Sequence, residues 1–363
     1  MRLLSYGSAA GLTALVVYLL IVGGSILLPF VVAVFVWYLI NALATVSRRL
    51  RFRGSVMPVS LRLGMATVVL AMLSWLMFTL IVTNVGQVIA KAPVYEQNLR
   101  ATAHTVAGHL GVEHELPPLE ELYAGRLTVL LRSLARSLTS LMGSIGTVAI
   151  YVVFMLLEQH SFRRKVSALC HDPLRETRVQ HVLDRIGGNI QSYVWLKTIM
   201  SLIAAGASYV VMKLVGVDLA EFWAVLIFGL NFIPYIGSWL GVMFPSALAL
   251  VQFDSLQPFL WTVGLLSIVQ FTTGSIVEPK LMGKGLNLSP VVMLLSLSIW
   301  GSIWGPVGML LAVPMMVVLM IVFSQFHATR HIAILMSADG NVASDGSHTP
   351  GPTAQPAQST GSS

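Results

Sequence analysis

The amino-acid sequence predicts an all-α, polytopic membrane protein with about six full spans, two broken or re-entrant helical hairpins and a small amphipathic helical segment outside the membrane. Three observations predict it. Hydrophobic residues make up 56% of the chain and charged residues only 10%, where a globular domain carries about 25%. Apolar runs suited to a roughly 30 Å hydrocarbon layer recur at Leu12–Leu28, Phe30–Val46, Gly64–Val82, Leu141–Leu157 and Phe259–Val277. The basic residues, which give a formal net charge of +7, cluster between those runs.

Arg2 precedes the first run, which lacks a small-x-small cleavage site and is followed at once by a second run; it reads as a retained span rather than a secretory signal. The second span returns from a turn at Leu28-Pro29. No acidic residue occurs before Glu96, while Arg48, Arg49, Arg51 and Arg53 follow the second run, with Arg62 close behind. Beside membrane spans such an excess marks the cytoplasmic side, so the cluster reads as topology and not as a nucleic-acid footprint. The N-terminus is then cytoplasmic too. These first three spans make up residues 1–90.

Residues 91–140 lie outside. They mix Glu96, Glu113, Glu115, Glu120 and Glu121 with arginines, and Pro117-Pro118 divides two helical stretches. Leu127, Leu130, Leu131, Leu134, Leu138 and Leu141 recur at the spacing of one buried helix face. The expected form is a helical paddle on the outer surface or against a neighbouring subunit.

Residues 141–336 are expected to form the rest of the transmembrane core. Span four leads to a cytoplasmic loop over 159–196, which carries Arg163, Arg164, Lys165, Arg175, Arg178 and Arg185. Its second half, with Val179, Val182, Leu183, Ile186, Ile190 and Val194 on one stripe, leads past Lys197 into a fifth span that ends near Val215. The sole cysteine, Cys170, excludes an internal disulfide.

Two later apolar segments, Glu221–Gln252 and Ser289–Ser324, are too long for one upright crossing. Each is interrupted near its middle, the first by Pro234, Gly237, Gly241 and Pro245, the second by Gly301, Gly305, Pro306, Gly308 and Pro314. A proline follows eight residues after Gly237 and again eight after Pro306, as if one broken-helix plan were used twice. Hairpins leave the Phe259–Val277 span to carry Lys280 and Lys284 inside, in keeping with the charge bias; full spans would put them outside. The tail, residues 337–363, is rich in Ser, Gly, Pro, Thr and Ala and is expected to be disordered.

No P-loop, Gly-x-Ser-x-Gly elbow, HExxH or dinucleotide fingerprint is present, so neither an enzyme nor an ATP-driven pump is expected and no cofactor is implied. His104, His109 and His114 fall every five residues, a 500° rotation on a helix that spreads them apart, and no metal site is assigned. The breaks are more informative. A proline removes a backbone donor and displaces a carbonyl, and in hydrocarbon such groups persist only where protein or a water-filled cavity covers them. Transporters use broken helices to aim backbone groups at a substrate or ion; packing kinks between small residues are the competing explanation. Asn231 adds a neutral donor and acceptor beside the first break. Between Glu221 and Asp339 the only acidic residues are Asp254 and Glu278. Glu278 therefore reads as one of a pair with Lys280 or Lys284, as a proton carrier, or as a carboxylate ending a span. Gln270, one to two turns earlier, is expected to face the same cavity.

At NFIPYIGS, at VEPKLMGKGLNLSP followed by WGPVGMLLAVP, and at SYVWLKTIMS with Tyr193, Lys197, Thr198 and Ser201, the chain resembles the autoinducer-2 exporter family of bacterial inner-membrane transporters. The matching positions are Asn231, Pro234, Gly237, Glu278, Pro279, Lys280, Gly283, Pro290, Gly305, Gly308 and Pro314. Ser275 stands where similar sequences commonly have asparagine, which bears on selectivity. The resemblance implies a bacterial inner-membrane, multi-pass transporter assembled as a homo-oligomer, with a pentamer as one expected form. It also implies export of autoinducer-2, a small polar sugar-like signal, or sodium/proton exchange.

The leading expectation is thus a secondary transporter or exporter of a small polar solute. Its path runs where the two broken segments meet the Phe259–Val277 span, past Asn231, Pro234, Gly237, Gln270, Ser275, Glu278, Lys280, Lys284, Gly305 and Gly308. The alternatives are a sodium (cation)/proton antiporter built on Glu278, and a non-transporting membrane scaffold that holds partners through its loops.

Overall fold

The computed structural model describes residues 2–46, 51–52, 55–56, 58–110, 129, 145–170, 172–253, 255–282 and 287–341. Apart from a two-residue antiparallel pair, β1 (Arg51–Phe52) with β2 (Ser55–Val56), these residues form helices and their connections. By length and composition five helical stretches suffice to cross a membrane: Gly24–Val46, Val59–Leu80, Pro173–Val215, Leu256–Leu281 and Pro290–Gln325.

Helix α1 (Arg2–Val22) runs into α2 (Gly24–Val46) through the single residue Gly23. The expected reversal at Leu28-Pro29 is absent, because Pro29 lies buried inside α2. Gly23 keeps the helical pattern on both sides, its N–H donating to the Leu19 carbonyl at 2.8 Å and its own carbonyl accepting from Leu27 at 2.8 Å. The Leu20 carbonyl accepts instead from the Trp304 indole N–H at 3.0 Å. A bend satisfies the backbone within the chain, as an apolar surround requires. The reversal was also what placed Arg2 on the same side as the 48–53 cluster; in one bent run they lie at opposite ends.

Helix α3 (Val59–Leu110) continues without interruption past position 90. The Leu127–Leu141 stripe, Pro117-Pro118 and His114 lie outside the described residues. Helix α4 (Ile145–Leu169) has an apolar first part, Ile145–Gln159, and joins α2 and α3 around Ala33, Ile40, Ala66 and Val152.

Helix α5 (Pro173–Val215) is the spine. Asp172 caps its first turn by accepting from the Leu174 N–H at 3.0 Å, and Pro173 suits the first helical position. The amphipathic second half of the expected loop and the fifth span are one helix, roughly 65 Å long. Its later part packs on α6 (Ala220–Leu230), α7 (Ile236–Gln252) and α8 (Leu256–Phe271) around Ala205, Met212, Ile227, Leu248 and Leu266. Its earlier part packs on α10 (Pro290–Gln325) and α11 (Arg330–Met336) around Ile190, Val194, Val313, Val317 and Ala333.

Both broken segments are antiparallel helical hairpins. In the first, Trp223 stacks on Phe244 and Ile227 lies against Gly241. The Gln252 side chain reaches back to donate to the Gly216 carbonyl at 2.8 Å and accept from the Asp218 N–H at 2.7 Å. Such pairings arise only when α7 returns along α6. In the second, α10 reverses at Gly305, whose φ of 64° and ψ of −148° belong to a region open essentially to glycine alone; Gly301 then meets Met309. Each tip is closed the same way. A Cβ on Gly237 would collide with the Leu230 carbonyl, and one on Gly308 with the Trp300 carbonyl.

The bases of the hairpins lie at opposite ends of a rod formed by α8, a π-helical turn (Thr272–Val277) and α9 (Glu278–Met282), about 40 Å in all. The tips meet: Ile233 and Ile236 of the first share an apolar cluster with Leu297, Trp300, Trp304 and Ala312 of the second. Beyond α11 the chain does not simply fray. Leu288 and Ser337 form a bridge, Ser289 N–H donates to Met336, and Asn287 accepts from the Ala338 N–H while donating to the Asn341 carbonyl at 3.0 Å. The first residues of the expected disordered tail are therefore held by backbone pairing, and those from 342 onward lie outside the described residues.

Candidate functional site

A cavity of about 1290 Å³ lies between α7 and the α8–α9 rod, with α5 behind it. The helical repeat builds its walls. Ser238, Val242, Ser246 and Leu250 descend one face of α7 at four-residue steps, and Phe259, Val263, Ser267, Phe271, Ser275 and Pro279 do the same on the rod. Tyr193 and Lys197, one turn apart on α5, close the back, and Asn231 and Pro234 supply the first hairpin's tip.

The electrostatic centre is an ion pair. Lys197 Nζ lies 2.6 Å from Glu278 Oε1, with the lysine side chain 4% and the glutamate side chain 20% exposed. Lys197 is the lone charge of its apolar stretch and Glu278 ends another, and an ionisable group there needs a partner. The expected partners of Glu278 were Lys280 and Lys284. Lys280, two residues on, points some 200° around the helix and is exposed outside the cavity; Lys284 lies outside the described residues.

The π-helical turn delivers Glu278 to its place. Six residues follow the wider spacing, which rotates the helix beyond them relative to α8, a feature that recurs at functional sites. Glu278 N–H donates to the Thr273 carbonyl, and the Thr273 hydroxyl donates to Val269 O at 2.8 Å. Just before this turn Gln270 is 4% exposed, and neither amide atom has a partner within the protein. The Tyr193 and Ser246 hydroxyls share that condition. Leaving such groups unmatched costs about 1–3 kcal/mol each, and all three residues belong to the cavity wall.

Of the expected path residues, Asn231, Pro234, Gln270, Ser275 and Glu278 line this one cavity. Gly237 closes the tip beside it. Gly305 and Gly308 do not line it; they shape the second tip, where Trp300 and Trp304 lie with ring centroids 5.2 Å apart in the apolar cluster. The second hairpin contributes only Met293 and Val313 to the wall. Lys197, Tyr193 and Ser246 were absent from the expected path. The signal for Lys197 was in the sequence, since it is the only charged residue between Arg185 and Lys213.

The profile of the AI-2E family transporters matches residues 11–328. The chain belongs to the AI-2E transporter family. With the AI-2 transport protein TqsA of Escherichia coli (strain K12), this family member is 29% identical over 317 residues, covering 86% of its own length and 89% of TqsA. With YhhT of the same organism it is 31% identical over 218 residues, 60% of this chain and 61% of YhhT. The AI-2E chain is thus a multi-pass membrane protein of a transporter family, and both broken segments, the π-helical turn and the ion pair fall inside the matched region.

Proposed function

We propose that the chain is a secondary transporter of the bacterial inner membrane that moves a small solute through the cavity between α7 and the α8–α9 rod, binding the solute's polar groups on the wall around Asn231, Gln270 and the Lys197–Glu278 pair. The ion pair on the cavity wall carries this reading, because a buried pair is costly to keep unless function retains it. In the proposed placement the α1–α2 run, α3, α4, α5 and the α8–α9 rod cross the bilayer, five against the six read from the sequence; the apolar stretch of α1–α2 is longer than one upright crossing and lies tilted in the layer. The hairpins enter from opposite faces and meet at their tips. The basic regions at 48–53 and 163–185 face the cytoplasm, which puts the N-terminus on the far side. The assembly is a homo-oligomer. The name of TqsA makes AI-2 the first cargo to try.

The pair favours one alternative, cation/proton antiport, in which an entering cation displaces the Lys197 ammonium from Glu278. Purified protein in proteoliposomes separates the two, with labelled AI-2 uptake measured beside sodium-driven proton movement. Glu278→Gln should abolish the flux while leaving membrane assembly intact. Wild-type flux in that variant would remove the pair from the mechanism. If instead NFIPYIG tolerates conversion to a continuous helix with no loss of function, the scaffold reading replaces both.

A further inference from the structure

The cavity is two-faced along its length. Towards the tip of the first hairpin its wall carries Asn231, Gln270 and the Lys197–Glu278 pair, whereas towards that hairpin's base it carries Val242, Leu250, Phe259 and Val263, relieved only by Ser246 and Ser267. The apolar half runs along about two turns of α7, roughly 12 Å. A small polar solute fills the first half and leaves the second without a purpose. At about 1290 Å³, the whole exceeds the roughly 300–1000 Å³ of an ordinary small-molecule site. The cavity also opens sideways, since Tyr235, Trp239, Met243 and Phe271 line it and are yet 52%, 78%, 47% and 63% exposed. In a chain that crosses a bilayer, a mouth rimmed by apolar and aromatic side chains faces the acyl layer.

We infer that the cavity takes a single-chain amphipath, its hydrogen-bonding head at Gln270 and the Lys197–Glu278 pair and its alkyl tail between Val242 and Val263. The head is uncharged, hydroxyl- or amide-bearing. Lysine and glutamate already neutralise each other, so a charged head seated on the pair would shed its water without gaining a net counter-charge; the other acidic residue of the wall, Asp339, follows Ala338 beyond the second hairpin. Gln270 and Asn231 on that half of the wall both donate and accept, as a hydroxylated head does. The tail loses nothing on leaving lipid for this wall, because the two are equally apolar. This inference rests on the cavity being the cargo path.

The test is photolabelling of the full chain in lipid nanodiscs with monodecanoylglycerol carrying a chain-end diazirine, mapped by mass spectrometry. Label is expected on α7 and α8 residues of the apolar half. It should fall at least about tenfold, a difference of roughly 1.4 kcal/mol, in Val263→Trp, which fills that half. Leu260→Trp, on the exposed face of the same helix, should leave it unchanged. Unlabelled monodecanoylglycerol should compete, while decanoate, decyltrimethylammonium and glycerol should not. Competition by glycerol alone would overturn the tail, and competition by either ion would overturn the uncharged head. Label that survives Val263→Trp marks annular lipid only and overturns the inference altogether. None of these results touches the Glu278→Gln flux measurement, so the amphipath can fail while the transporter reading stands.

Discussion

The two helical hairpins share a backbone device and differ in everything around it. Each reverses at a glycine-and-proline break, and each seats a glycine of the returning arm against a carbonyl of the outgoing arm, Gly237 on Leu230 and Gly308 on Trp300. Around the first tip lie an ion pair and a wall of unmatched polar side chains; around the second lie Leu297, Trp300, Trp304 and Ala312. A broken helix is therefore not a site in itself. It becomes one where neighbouring helices bring polar groups to it, and otherwise it is a way to turn the chain.

The largest expected effect breaks the comparison at its charged centre. Lys197→Met strands Glu278 and should cost about 3–5 kcal/mol of stability, seen as a lowered melting temperature in detergent. Lys197→Met with Glu278→Leu should recover most of that loss without recovering flux. Next come the tips. Gly237→Ala and Gly308→Ala should each cost about 1–3 kcal/mol through overpacking, but only Gly237→Ala should, at matched protein levels, also lower flux. Equal flux in the two variants would erase the functional difference between the hairpins.

Smaller effects sharpen it. Gln270→Leu removes two unmatched polar atoms and should leave thermal stability unchanged or slightly higher while flux falls about tenfold, the worth of one hydrogen bond of about 1.4 kcal/mol. In the second hairpin Trp304→Phe loses the bond to the Leu20 carbonyl, and should cost about 1 kcal/mol with flux intact. Finally, in a Cys170→Ser background, Ser238→Cys should react with a water-soluble thiol reagent, while Ser296→Cys, at a position 1% exposed, should not.

Much of this contrast was legible in the sequence, and the reasons are local. Proline and glycine announce breaks wherever they fall, so both hairpins could be read from Pro234, Gly237, Gly305 and Pro306, and the scarcity of acids singled out Glu278. The partner of Glu278 was not legible from neighbouring lysines. Lys280 and Lys284 are close along the chain, but a helix turns close neighbours to different faces, and Lys197 is brought in by packing of α5 on the rod across 81 positions. Charge balance offered a better guide, since Lys197 and Glu278 are the lone opposite charges of two apolar stretches. The bend at Gly23 escaped because Pro29 looked like the stronger breaker, and a helix carries a proline when its displaced backbone groups find cover. The π-helical turn has no signature at all in TTGSIV, and it is what aims the carboxylate.

The meeting of the two tips has an electrical meaning. In the placement proposed above, water entering along the hairpins from each face would leave as the insulating layer the apolar cluster that Ile233 and Ile236 share with Trp300 and Trp304. Most of the membrane voltage then drops across that short septum, at roughly 2.3 kcal/mol per elementary charge for each 100 mV. A charge displaced there by a few ångströms would sense nearly the whole potential, so even a slight rearrangement of the tips would be voltage-sensitive.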